Sequence, residues 1–222
     1  MVAIDGPSAS GKGTLGFRIA KALQFAFLDT GLLYRAVGLS VLKAGGNPDN
    51  PDQAIAAALD LHPERTEVLE NPDLKGDAAG QAASKVGAIP QVRTVLLDFQ
   101  RQFARFPPGG APGAVLDGRD IGTVICPDAE AKLYVTADVE IRAERRLKEL
   151  RQRGIPAIYD LVLEDMRNRD LRDSQRAVAP LRAAPDAYVL DTSRMDPDQT
   201  FEEALAYVVS RLGPRFRPGK AV

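Results

Sequence analysis

The chain opens with "MVAIDGPSASGKGTL" (1–15), and the fold is decided inside that stretch. Gly6, Pro7, Ser8, Ala9, Ser10, Gly11 and Lys12 fit the spacing G-x-x-x-x-G-K. Before them, "VAID" (2–5) reads as a short buried strand. After them, Leu15, Ile19 and Leu23 fall at helical spacing. A glycine-rich loop between a strand and a helix offers backbone N–H groups and a helix N-terminus to phosphate, and Lys12 adds a point charge. A plain tight turn with an exposed lysine would not need the full spacing. Gly6 to Thr14 are therefore expected to hold a nucleoside triphosphate. ATP is the expected one, because no N-K-x-D stretch for guanine occurs. One position is unusual. The residue after Lys12 commonly carries a hydroxyl for Mg²⁺, but here it is Gly13, and the hydroxyl comes one place late on Thr14.

Four more apolar runs extend the pattern: "FAFLD" (25–29), "GAVLD" (113–117), "AKLYVT" (131–136) and "AYVLDT" (187–192). Continuous apolar runs separated by helical patterns indicate a parallel sheet buried on both faces. Four of the five runs reach an Asp at or near the C-terminal end, the side where such sheets bind ligands. A final helix is expected from Asp196 as N-cap and Pro197 onward. Its apolar face is Phe201, Leu205, Val208, Val209 and Leu212, and Gly213 ends it. The tail 214–222 is expected to fray. Between 44 and 90 the strand rhythm stops. An Ala-rich helix near 53–61 and a polar piece from His62 point to an inserted lobe.

The 222 residues carry 29 Lys and Arg against 30 Asp and Glu, a net charge of −1 that gives no reason to expect nucleic-acid binding. One cysteine, Cys126, excludes an internal disulfide. With one histidine, His62, it cannot build a His/Cys metal site. No apolar run reaches the length of a membrane span, and no signal peptide is visible. A cytoplasmic protein without a membrane partner is expected.

Three further stretches carry charge where ligands would sit. In "LDTGLLYRA" (28–36), Thr30 and Gly31 lie where a strand becomes a helix, and Arg35 is placed in the helix's first turn. A cation there opposes the helix dipole and needs a partner, either an acidic neighbour or a bound phosphate. In "LDGRDIGT" (116–123), Asp117 closes a strand, Gly118 turns the chain, and Arg119 and Asp120 follow. In "RNRDLRDSQRAVAPL" (167–181), Arg169, Arg172 and Arg176 share one helix face with Asp173 beside them. Upstream, Arg142, Arg145, Arg146, Arg151 and Arg153 would by themselves form a solvated face. With the Gly-Ile-Pro break at 154–156, they suit a short hinged lid over 142–158.

"IDGPSASGKGT", "LDTGLLYRA", "DGRDIGTVICPDA" and "RDLRDSQRAVAPL", in that order, resemble the bacterial cytidylate kinase family of P-loop nucleoside monophosphate kinases. The resemblance runs from about residue 3 to about residue 209. It implies a three-layer α/β fold with a five-stranded parallel sheet, a monophosphate-binding lobe over about 38–106 and the short lid. The implied reaction takes ATP and CMP or dCMP to ADP and the diphosphate, with Mg²⁺, in a monomer. By position, Thr30, Arg35 and Arg119 would lie about the acceptor phosphate. Ser84 and Arg93, in "AASKVGAIPQVR" (82–93), would lie near the cytosine with Asp120 and Arg176, and Arg169 and Asp173 would touch the ribose. Lys12, Arg119 and Arg169 would surround the transferring group, and Asp117 would be an outer-shell partner of Mg²⁺. The family's lobe carries a longer strand-rich insert, whereas 62–81 here is short. Two alternatives share the first motif: another P-loop small-molecule kinase, and an ATP-dependent switch module that is not a kinase.

Overall fold

The structure is a computed structural model that describes residues 1–61 and 67–213. His62 and the tail 214–222 lie outside the described residues. The elements run β1 (Val2–Asp5), α1 (Lys12–Leu23), β2 (Ala26–Asp29), α2 (Gly31–Lys43), α3 (Pro51–Leu59), α4 (Glu67–Glu70), α5 (Asp77–Val86) and α6 (Pro90–Arg105). Then come β3 (Ala114–Gly118), a π-helical turn (Ile121–Ile125), β4 (Ala131–Thr136), α7 (Val139–Gln152), α8 (Tyr159–Ser174), β5 (Tyr188–Asp191) and α9 (Pro197–Leu212). The chain divides into two compact units. The first is Met1–Leu28 with Pro107–Val222, and the second is Asp29–Phe106. The second starts at Asp29, ahead of the expected 38, so Thr30 and Arg35 belong to it.

The sheet has strand order β2-β3-β1-β4-β5. β1 pairs in parallel with β3 and β4, and β4 with β5. All five expected strands are present, with ends moved by one residue at most. Val2, Ile4, Val115, Leu133 and Val135 pack with Leu15, Ile19 and Leu23 of α1 and with Ala204 and Val208 of α9. Ala3 and Leu116, on alternate positions, are fully buried too, so both faces are covered. On α9, Asp196 caps Asp198 and Gln199 in a capping box. The deepest positions of α9 are Thr200, Ala204 and Val208, and Phe201, Leu205, Val209 and Leu212 of the expected apolar face pack half-buried against the same core.

The second unit is helical. Leu33 and Val37 of α2 meet Ala54 and Ala58 of α3, Ala83 and Val86 of α5, and Val92 and Leu96 of α6. The Ala-rich helix begins at Pro51, because Asn50 accepts from the N–H of Gln53 as N-cap. From 67 to 86, the described part of the short insert is helical throughout apart from brief connections, with a 3₁₀ turn at Pro72–Lys75.

Candidate active site

In the first unit, the loop after β1 enters α1 at Gly11, whose φ is +90°, and Lys12 is the first helical residue. Lys12 is buried. Its ammonium donates to the Pro7 carbonyl at 3.3 Å and stands 3.7 Å from Asp117 Oδ1. Gly13 explains that approach. A Cβ there would lie 3.2 Å from Asp117 Oδ2, so the missing side chain leaves room for the carboxylate at the end of β3. Gly6 is more constrained still: with φ +153°, a Cβ would stand 2.0 Å from the Val135 carbonyl oxygen.

The loop is held through its carbonyls. Arg142 of α7 donates to Ser8 O (3.3 Å), to Ala137 O (2.8 Å) and to Asp170 of α8 (2.6 Å). The Thr192 hydroxyl donates to Ser10 O (3.3 Å), and Arg145 donates to Thr192 Oγ1 (2.9 Å) and O (2.6 Å). Arg142 and Arg145 are therefore held on carbonyls and a hydroxyl behind the loop and are not a solvated face. Arg146 pairs with Glu149, as does Arg153. The expected break is real: α7 stops at Gln152, Gly154 has φ +71°, and α8 starts at Tyr159. Beside the loop, a cavity of about 190 Å³ is lined by Gly11, Thr14, Arg18, Arg145, Thr192 and Met195, among others. The glycine loop and α1 supply one side of this cavity, but Thr192, Met195, Pro197 and Thr200 come from the segment after β5, which the loop motif did not announce.

The acidic and basic residues of the second and third motifs in this unit are brought together. Asp173, 1% exposed, accepts from Arg119 Nε (3.0 Å) and from Arg176 (2.5 Å). Burial would raise its pKa, but the Arg119, Arg176 and Arg169 guanidiniums outweigh that and hold it below the usual carboxylate range. α8 ends at Ser174, so Arg176 lies past the helix and does not share its face with Arg169 and Arg172, as the spacing suggested. Its return to Asp173 is made by the turn beyond. Asp120, 4% exposed, is the N-cap of the π-helical turn, and its carbonyl accepts from Val124 and Ile125.

Asp5 was not singled out in the sequence. Its two carboxylate oxygens accept from Ile121 N–H (2.7 Å) and Gly122 N–H (2.8 Å). Burial pushes its pKa up to about 7, against those two bonds, with Asp120 and Asp117 adding repulsion. The only signal for it was an Asp at the end of an apolar strand. Because the folded pKa exceeds the ordinary 3.8, the folded state holds the proton more tightly. The stabilising contribution is complete below about pH 4 and is lost as pH rises to 7, on the order of 4 kcal/mol across the window. Asp5→Asn removes this slope. Denaturant melts of both proteins in EDTA from pH 5 to 8 should show the wild type's advantage shrinking as pH rises. A difference that does not change with pH would refute this account of Asp5.

In the second unit, Thr30 precedes α2 and is buried, and the Asp29 carboxylate accepts from Gly31 N–H. Since α2 begins at Gly31, Arg35 falls in the second turn, not the first. Its guanidinium donates to Leu74 O (2.7 Å) and Gly76 O (3.1 Å), so backbone carbonyls serve as partners beside the two kinds expected. Ser84 is buried on α5. Arg93 donates to Gly87 O (3.1 Å) and stands over the Tyr34 ring at 5.3 Å.

Comparison with known proteins settles the family. The cytidylate kinase family profile matches residues 2–210. The chain belongs to the cytidylate kinase family. The cytidylate kinase of Rhodospirillum rubrum is 60% identical over 205 residues, 92% of this chain and 95% of that one. The one from Paramagnetospirillum magneticum is 59% identical over 211 residues, 95% and 98% of the two chains. A solved structure of an uncharacterized protein from Eubacterium ventriosum shares the fold, with a TM-score of 0.54 and 12% identity over 95% of this chain and 98% of that one.

Proposed function

We propose that the protein transfers the γ-phosphoryl group of ATP to CMP or dCMP, giving ADP and CDP or dCDP. The observation that carries this reading is family membership over nearly the whole chain, joined to a glycine loop whose lysine faces a strand-end carboxylate. In the reaction, an acceptor phosphate oxygen forms a bond to the γ-phosphorus while the bond to the β-bridging oxygen breaks. The acceptor is already ionised, so no general base is needed. Positioning and neutralisation of the spreading charge do the rest. Gly6 to Thr14 and Lys12 hold the donor phosphates, and the cavity beside Thr14 and Met195 takes the donor base. Arg119 and Arg169 neutralise the transferring group. Thr30 and Arg35, with Arg119, hold the acceptor phosphate, Ser84, Arg93, Asp120 and Arg176 the cytosine, and Arg169 and Asp173 the ribose.

Asp117 fits a supporting role for Mg²⁺, since it presents hard carboxylate oxygens beside Lys12. Among the described residues, no group of three or more His, Cys, Asp or Glu is placed to hold a metal, so protein ligands would be few and ATP oxygens and water the rest. When bound, Mg²⁺ supplies charge neutralisation to the phosphates. Among the described residues, no helix is long and apolar enough to cross a membrane. The protein is proposed to be cytoplasmic and monomeric, and light scattering would test the latter.

An ADP-release assay over CMP, dCMP, UMP, AMP and GMP tests the activity. Strong stimulation by CMP and dCMP is expected. Equal, slow release with every monophosphate would favour a switch module instead. The base assignment has its own test. Cytosine presents an N4 amine, and a carboxylate only accepts. A hydrogen bond to a charged group is worth about 1.5–3 kcal/mol, so the Asp120 contact predicts about a 10- to 150-fold preference for CMP over UMP. Asp120→Asn should narrow that gap in kcat/KM. If both substrates fall by one factor, Asp120 serves only to hold the turn.

A further inference from the structure

β1 ends in a buried carboxylate whose two oxygens are both occupied by one short turn. That turn is the continuation of Arg119 and Asp120. It closes on itself at the far end, where Val124 and Ile125 donate to Asp120 O and Cys126 donates to Ile121 O (2.7 Å). The first two N–H groups, of Ile121 and Gly122, have no place in that pattern. Both residues are buried, so those donors need an acceptor from elsewhere in the protein. A carboxylate meets two such donors at once, whereas an amide would present its NH₂ to one of them.

A second strand holds the same turn from the other side. A Cβ on Gly122 would lie 3.2 Å from Lys132 Cδ and 3.4 Å from Asp5 Oδ2, so the turn is seated between the side chains of β1 and β4. Lys132 is itself fixed, with its ammonium donating to Pro127 O (2.6 Å) and to both oxygens of Asp186. The segment carrying Arg119 and Asp120 thus has one end tied to Asp173 through Arg119 and the other seated on Asp5 and Lys132. The glycine loop, which follows Asp5 directly, is braced separately by Arg142 and Thr192.

We propose that Asp5 is a positioning residue for acceptor recognition: by holding the N–H groups of Ile121 and Gly122, it sets where Arg119 and Asp120 stand. This rests on the reading that those two residues meet the monophosphate. The separate bracing of the loop makes the consequence selective. Displacing the turn weakens the acceptor side and leaves the donor side nearly as it was.

The test is steady-state kinetics with CMP, UMP and ATP varied, on wild type, Asp5→Asn and Gly122→Ala. The two variants disturb one seat from opposite partners, and Gly122→Ala meets side-chain atoms of Lys132 and Asp5 at 3.2 Å or more and no backbone, so it keeps the test alive if Asp5→Asn does not fold. In both variants KM for CMP should rise about tenfold, the worth of one hydrogen bond, and the CMP-over-UMP ratio should shrink. KM for ATP should stay within about twofold. Equal rises in both KM values, or a fall in kcat alone with both KM values unmoved, would show a general structural role and overturn the proposal. Unchanged kinetics in the folded variants would overturn it as well. A wild type without CMP turnover would sink the functional reading and the proposal with it, and active wild type with no KM split sinks the proposal alone.

Discussion

Lys12→Ala should lower turnover by about 10²–10³-fold or more, the scale on which one preorganised charge at a transferring group acts. The structure adds a complication that the sequence did not show. Lys12 is buried beside a buried Asp117, 3.7 Å away, so it is also the cation of that carboxylate. Removing one partner of such a pair is destabilising, on the order of 3 kcal/mol. Lost turnover alone would therefore leave two explanations. Asp117→Asn and the double variant separate them. If Lys12 only balances Asp117, the double variant should work as well as Asp117→Asn. If Lys12 carries phosphoryl charge, the double variant should recover stability in a denaturant melt and stay about 10²–10³-fold below Asp117→Asn in turnover. Recovery of turnover would make Lys12 a structural counter-ion.

The sheet was legible because a strand buried on both faces leaves a continuous apolar run, and Val2–Asp5, Ala114–Gly118 and Ala131–Thr136 are all of that kind. The glycine loop was legible because its spacing reflects a backbone shape. Charge was harder to place. Arg142 and Arg145 read by themselves as a solvated run, and with the break at 154–156 as part of a lid, because periodicity cannot tell a guanidinium in water from one aimed at the carbonyls of Ser8 and Thr192. Arg176 looked helical because i+7 from Arg169 fits a helix, yet the helix ends two residues earlier and Asp173 draws the side chain back. Asp5 was hidden for a different reason. Its partners are 116 and 117 residues away, and they are backbone N–H groups that leave no trace in residue type. Long-range contacts to main chain are the part of this site that composition and spacing do not encode.

Gly6→Ala should be the most damaging small substitution in the loop. The added Cβ would stand 2.0 Å from the Val135 carbonyl oxygen and 3.1 Å from its carbon. Val135 is fully buried in β4, which pairs with β1 on one side and β5 on the other, so that oxygen cannot withdraw without dragging the sheet. The loop must move instead, and its φ of +153° is one that alanine rarely adopts. Overpacking and backbone strain together should cost about 3 kcal/mol or more, a fall in Tm of roughly 6–12 °C for a chain of this size. ATP affinity should drop far more than CMP affinity, measured by calorimetry well below the variant's Tm, because the acceptor residues lie outside the loop. Gly11→Ala is the control. Its φ is +90°, but a Cβ there meets nothing within 4 Å, so it carries strain alone, about 1–2 kcal/mol. The order Gly6→Ala worse than Gly11→Ala, in both Tm and ATP affinity, is the expected result. Equal losses in the two variants would mean that backbone strain, and not the contact with β4, sets the shape of the loop.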